Sequence, residues 1–262
     1  MKLEKKDKNR PLILVTNDDG ISANGIKALV SEMKKLGDVI IVAPDKSQSG
    51  MGHAITINAT LRIEKTNFHD VLQEYSCTGT PVDCVKVAVN KILHRKPDLC
   101  VSGINHGSNI SINVIYSGTM SAAVEGAIEH IPSIGFSLCD YNSEADLSVS
   151  KKYVFKIAKK ILETGLPEGV CLNVNIPSGN EIRGIKISRQ AKATWMEELD
   201  ERKDPSGKSY FWLTGKFKNF ESGNTETDVW AIENNYISVV PVHFDMTAHH
   251  ALKKLKLLEN EN

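Results

Sequence analysis

The run Leu12-Ile-Leu-Val15 constrains this chain more than any other stretch. Four apolar residues in a row suit a strand buried on both faces, as in a parallel sheet. The run leads straight into Thr16-Asn-Asp-Asp-Gly20. Adjacent carboxylates at the exit of such a strand raise each other's pKa or recruit a cation. Gly20 permits the tight turn that aims Asp18 and Asp19 outward. Open parallel sheets bind ligands outside the carboxyl ends of their strands, where this pair lies. A hard divalent cation, Mg2+ or Mn2+, is the ligand that carboxylate oxygen favours. Asn-Asp-Asp-Gly also suits a plain strand-to-helix turn with an N-terminal cap, so the rest of the chain has to decide.

Downstream, strand and helix alternate. Strand 12–16 precedes a helix at 23–36 with Ile26, Leu29, Val30 and Met33 on one face. Strand 38–43 and a loop, 44–53, follow. Residues 54–64 alternate as a strand or hairpin arm, and a short strand sits near 71–76. Thr80-Pro81 opens a helix at 81–93. Next come strand 98–102, a polar loop 103–117, helix 119–130, strand 132–138, helix 145–163 and strand 170–175. This rhythm predicts a doubly wound, mostly parallel α/β sheet with right-handed crossovers. After Pro177 the rhythm changes. Ile182–Ser188 reads as a strand, and 193–223 as a protruding hairpin carrying Trp195, Tyr210, Phe211, Trp212 and Phe217. Exposed aromatics there point to a subunit interface, with a local mini-core as the alternative. A short helix 228–234, strand 236–240 and a basic helix at 247–258 close the chain. The expected layout is one domain over 11–246, a polar tail 1–10 and a C-terminal helical segment 247–262.

Lys+Arg and Asp+Glu are equal at 32 each, so no global field recruits nucleic acid or a membrane surface. No apolar run is long enough to cross a bilayer. The five cysteines are scattered, odd in number and without metal spacing, which favours buried reduced thiols and a cytoplasmic protein. The first strand is not followed by G-x-G-x-x-G, and G-x-x-x-x-G-K-[ST] and G-x-S-x-G are absent from the sequence. Dinucleotide, nucleoside-triphosphatase and serine-hydrolase readings lose their main support.

Three polar loops follow three predicted strands: Thr16–Ser22, Ala43–His53 and Ser102–Asn109, the last continuing to Tyr116-Ser-Gly-Thr119. In a parallel sheet all three open on one edge. Ser117-Gly118-Thr119 opens a helix, so free N–H groups, two hydroxyls and the positive helix end suit a phosphate. Asn105 and Asn109 supply neutral oxygens for a hard-metal shell. Ser47 and Ser49 are short oxygen donors on a loop that Gly50 and Gly52 loosen. His53 and His106 are candidate proton donors to a leaving oxygen. Turn and cap chemistry explains each loop alone, but less well why all three are so polar at one edge.

Ile13-Leu-Val-Thr-Asn-Asp-Asp-Gly-Ile21, Val42-Ala-Pro-Asp-Lys-Ser-Gln-Ser-Gly50, Ser102-Gly-Ile-Asn-His-Gly-Ser-Asn109 and Tyr116-Ser-Gly-Thr119 resemble, in order and spacing, the signature blocks of the SurE family. Cys77-Thr-Gly-Thr-Pro-Val-Asp83 and Thr227-Asp-Val-Trp-Ala231 extend the resemblance over about 11–246. The family is that of the stationary-phase survival protein, a metal-dependent 5'/3'-nucleotidase. The resemblance implies a Rossmann-like domain, a hairpin and C-terminal segment that build homodimers or homotetramers, and a cytoplasmic location. It places one divalent ion per subunit on Asp18, Asp19, Ser49 and Asn105. It places a phosphate pocket on Ser117, Gly118 and Thr119, with Asn17 and Asn109 nearby. Asn113 stands where the family often has Asp, and Ser121 where it often has Gly.

The expected reaction is hydrolysis of nucleoside monophosphates by water, with Asp18 or Asp19 as catalytic base. An aspartyl-phosphate phosphatase would need Asp-x-Asp rather than adjacent acids. A non-catalytic metal and nucleotide sensor would bind nucleotide and release no phosphate.

Overall fold

The computed structural model describes residues 10–260. The polar tail expected at 1–10 lies, apart from Arg10, outside them, as do residues 261 and 262. The chain begins β1 (Leu12–Thr16), α1 (Asn24–Met33), β2 (Asp38–Pro44), β3 (Ile63–Lys65), β4 (Gln73–Cys77) and α2 (Pro81–Val87). It continues with β5 (Leu99–His106), α3 (Gly118–Ile128), β6 (Ser133–Cys139), α4 (Ser148–Thr164), β7 (Val170–Pro177) and β8 (Gly184–Ile187). Four short strands form an arm: β9 (Ala193–Met196), β10 (Leu199–Lys203), β11 (Ser209–Leu213) and β12 (Lys216–Asn219). The chain closes with α5 (Asp228–Glu233), β13 (Tyr236–His243) and α6 (His249–Leu255).

Nine strands form one sheet in the order β3-β4-β2-β1-β5-β6-β7-β13-β8. The six strands from β4 to β7 are parallel neighbours. Numbered among themselves they read 3-2-1-4-5-6, the doubly wound Rossmann order, whose switch point lies between β1 and β5.

The uninterrupted apolar run of β1 is explained by burial on both faces. Ile13 and Val15 join Val39, Ile41 and Val101 under α1 and α4. Leu12 and Leu14 join Ile40, Val42 and Cys100 under α2 and α3. Thr80 caps α2 by accepting from the Asp83 N–H, and the Asp83 carboxylate accepts in return from the Thr80 N–H, a closed capping box. The cysteines at 77, 84, 100 and 171 are buried free thiols, and Cys139 is half-buried and free.

The structure corrects several expected boundaries. Residues 54–62 form no strand; only Ile63–Lys65 pairs, antiparallel to β4. There the chain is tied down by Thr56, whose N–H and hydroxyl both reach Asp83, so the alternating isoleucines 55 and 57 face solvent. The helix expected to reach 93 continues past Val87 as one π turn, Ala88–Ile92. The loop expected from 103 is strand as far as His106, beyond a register shift between Ser102 and Asn105, and then a 3-10 turn, Ser111–Tyr116. The last strand does not stop before Pro241. β13 pairs with β8 only as far as Val239, so the prolyl nitrogen falls where that side of the strand carries no ladder. The expected hairpin forms as a two-stranded arm, β9 with β12 and β10 with β11, broken at Glu197 and Gly215, both with positive φ. The C-terminal helix is shorter than expected and ends in a 3-10 turn, Lys256–Asn260.

Candidate functional site

Asp18 and Asp19 leave β1 at the switch point, and Asn105 and His106 end β5 beside it. Asp18 is buried and Asp19 half-buried. Burial pushes the Asp18 carboxyl up to about 6, against the hydrogen bond from Thr119 and with the help of the Asp19 charge. Burial also raises Asp19, opposed by a hydrogen bond from the His106 backbone.

The N-terminus of α3 meets Asp18 directly. Thr119 Oγ1 donates to Asp18 Oδ1 at 2.5 Å. A Cβ on Gly118 would sit 2.7 Å from Asp18 Cβ and 2.9 Å from Oδ2, so only glycine lets the helix come this close. Ser117 caps the helix by accepting from the Met120 N–H at 3.1 Å.

Seven buried side-chain polar atoms among the described residues have no hydrogen-bond partner. Six of them are Thr16 Oγ1, Asn17 Oδ1, Asp19 Oδ2, Ser102 Oγ and both ring nitrogens of His106. All six lie at the carboxyl ends of β1 and β5. Buried polar groups are almost always paired, so a cluster of exceptions at one sheet edge marks a place for a ligand. The Asn17 amide donates to Gly20 O and the Asn105 amide to Gly107 O, which fixes the orientation of both side chains. Among the described residues no three His, Cys, Asp or Glu side chains gather into a metal cluster. A cation here would rest on two carboxylates and on neutral oxygens, a donor set suited to a hard ion that keeps several waters.

Asn109 is locked by a buried amide network. Its N–H donates to Asn175 Oδ1, its Nδ2 to Ser137 Oγ, and its carbonyl accepts from Asn173 Nδ2, each at 2.8 Å. Asn175 in turn donates to Asn173. Farther along the same loop, the Asp228 carboxylate accepts from the N–H groups of Ser111, Ala191 and Val229. Sequence reading missed Ser137, Asn173 and Asn175 as supports. The signal was present: two asparagines at alternate positions in an otherwise apolar buried strand. Asp228 entered only through the family block around it.

Asp18, Asn105, Asn109 and Ser117 line one cavity of about 240 Å3, together with Gly50. The loop that carries Ser49 is pinned by the Gln48 N–H, which donates to Asp18 O at 2.7 Å. The Ser49 side chain is exposed and hydrogen-bonded to Ser47, 2.9 Å away. His106 belongs to the site, and its backbone supports Asp19. His53 does not: its Nε2 lies 3.0 Å from Glu125, which also binds Lys86. It borders a separate, mainly apolar cavity of about 460 Å3 beside Val114, Met120 and Phe244.

Fold and site together define a doubly wound α/β protein with a polar crevice at the switch point of its sheet. The family model described as Survival protein SurE matches residues 13–197. A protein of Flavobacterium psychrophilum named 5'-nucleotidase SurE is 62% identical over 250 residues, 94% of this chain and 97% of the relative. One of the same name from Phocaeicola vulgatus is 43% identical, covering 95% and 97%. The crystal structure of the SurE protein from Aquifex aeolicus superposes with a TM-score of 0.84 at 40% identity, covering 95% of this chain and all of the other. The chain belongs to the SurE family.

Proposed function

We propose that this protein is a divalent-metal-dependent phosphomonoesterase. Its substrates are nucleoside 5'-monophosphates and, by the family resemblance, their 3' isomers, which it hydrolyses to nucleoside and phosphate. The observation that carries the reading is the contact of the α3 N-terminus with Asp18 amid the cluster of unpaired polar atoms. The full-length likeness to relatives named 5'-nucleotidase supports it.

In this reading Asp18, Asp19, Ser49 and Asn105 hold one divalent ion per subunit, Mg2+ or Mn2+. Bound there, the ion supplies Lewis-acid polarisation of a phosphoryl oxygen and lowers the pKa of a bound water. No Lys or Arg is among the residues lining the cavity, so a phosphate dianion beside two carboxylates depends on that cation. The Ser117 hydroxyl, the Gly118 N–H and the positive end of α3 orient the phosphoryl oxygens and stabilise developing charge. Asn109 borders the same pocket, whereas Asn17 is buried beside Asp18 and does not line it. Thr119 acts chiefly by orienting Asp18, because its hydroxyl is already donated there. Asp19 is the better placed base, since its Oδ2 has no partner whereas Asp18 Oδ1 accepts from Thr119.

The exposed Tyr210–Leu213 of the arm and the exposed leucines 252, 255, 257 and 258 of the C-terminal segment favour a homodimer or homotetramer. No helix among the described residues is long and apolar enough to cross a membrane. The free thiols suit the cytoplasm. The test is phosphate release from AMP with Mn2+ or Mg2+, with and without EDTA. Asp19→Asn is expected to abolish the metal-dependent release. Full activity in that variant rejects the mechanism, and nucleotide binding without any release by the wild type favours the sensor.

A further inference from the structure

The cavity at Asp18 is lined by two chemically different sets of side chains: polar Asp18, Asn105 and Ser117, and an aromatic rim of Tyr116, Tyr141 and Trp195. The ring faces of the rim carry no charge for a phosphate, and its two tyrosine rings are not consumed by a core. Tyr141 is 75% exposed and Tyr116 54%. Gly107 lets Tyr141 down onto the site loop, since a Cβ there would come within 2.6 Å of the ring.

Trp195 reaches this rim from β9, at the root of the arm, and its ring is restrained twice. The indole N–H donates to Asn113 Oδ1 at 2.8 Å. The ring packs edge to face on Phe217, with centroids 5.6 Å apart at 66°. One contact fixes an edge and the other a plane, so the indole is pre-oriented before any ligand arrives. A nucleotide joins a phosphate to an aromatic base through a sugar, and this cavity sets phosphate-suited polar groups and aromatic side chains in one lining.

We propose that Trp195 is the specificity-determining residue that distinguishes nucleotides from other phosphate esters, by stacking on the base. Tyr141 completes the rim, and Asn113 is a positioning residue that holds the indole. This rests on the phosphomonoesterase reading and adds to it the means of selecting the leaving group. Stacking tolerates any base because every base has a π-face, so discrimination falls between esters with and without a base.

The experiment compares AMP with ribose 5-phosphate, which keeps the sugar and phosphate and lacks the base, in the full-length metal-loaded protein. Trp195→Ala is expected to raise KM for AMP about 5- to 150-fold, the range for stacking one base on an aromatic side chain. kcat should hold, and kcat/KM for ribose 5-phosphate should stay within about twofold. Trp195→Phe should recover most of the AMP affinity, and Asn113→Ala should show part of the Trp195→Ala defect. Equal losses on both esters, or an unchanged KM for AMP, overturn the proposal. If the wild type hydrolyses neither ester, the phosphatase reading fails by itself. Stacking is then read from quenching of tryptophan fluorescence by AMP, which disappears in Trp195→Phe if the proposal holds and persists if it does not.

Discussion

Gly118→Ala adds one methyl group at the point where α3 meets Asp18. That Cβ would lie 2.7 Å from Asp18 Cβ. Carbon atoms pack at about 3.5–4.0 Å, so helix or carboxylate must yield by roughly 0.8 Å or more. Stability and activity should then separate. Gly118 is the first residue of α3, where little of alanine's helix-interior advantage over glycine, about 1 kcal/mol, applies, and overpacking costs about 1–3 kcal/mol. The net loss of stability is therefore about 1–3 kcal/mol, too little to unfold a typical domain. Catalysis depends on placement, and a displacement of about 1 Å costs on the order of 100-fold. The assay is malachite-green detection of phosphate from AMP at saturating Mn2+, beside a urea melt of the same sample. A variant with wild-type kcat/KM refutes the reasoning, because close approach of the helix N-terminus to Asp18 would then be dispensable.

Mn2+ at about 100 times its Kd should stabilise the fold by about 2.7 kcal/mol and raise Tm by roughly 5–10 °C. Asp19→Asn should lose that shift, and a shift that persists removes Asp19 from the ligand set. Asp83→Asn opens the capping box and should lower stability at pH 7 by about 0.5–2 kcal/mol in urea melts. Burial alone would raise Asp83, but hydrogen bonds from Thr56 and Thr80 outweigh it and hold the carboxyl below its ordinary value. Its contribution is therefore complete above the unfolded pKa of about 3.9 and is lost as pH falls through the folded one. The gap between wild type and variant should shrink by pH 3, and a constant gap refutes the cause. Replacing Tyr210, Phe211, Trp212 and Leu213 with serine should reduce the mass seen by size exclusion, and an unchanged mass clears the arm of a role in assembly.

The doubly wound sheet was legible because its central strands are buried on both faces and so spell unbroken apolar runs. The placement of Asp18, Asp19, Asn105 and Ser117–Thr119 at one sheet edge was legible because strand ends, glycine turns and helix starts have local signatures. What failed was set by distant partners. The isoleucines at 55 and 57 have a strand's alternation, but Asp83 holds Thr56 and turns them outward. Pro241 breaks a ladder only where a neighbour stands on its nitrogen side, which depends on where β8 ends. His53 sits on the right loop for a proton donor, yet Glu125 holds its ring at the edge of another cavity. Neighbouring sequence does not encode that partner, 72 positions away.

The grip of Asp228 on Ser111 has a consequence for the order of events during synthesis. The two residues are 117 positions apart, and the same carboxylate secures Ala191 at the root of the arm. A ribosome adding about 5–20 residues per second needs roughly 6–23 s to cover that interval. For nearly all of it, the nascent chain carries Asp18, Asn105 and Ser117 but not the clasp that fixes the loop between Asn105 and Ser117. Hydrolytic competence should therefore arrive late, after α5 has emerged, and a chain arrested before residue 228 should bind substrate loosely even with its sheet largely formed.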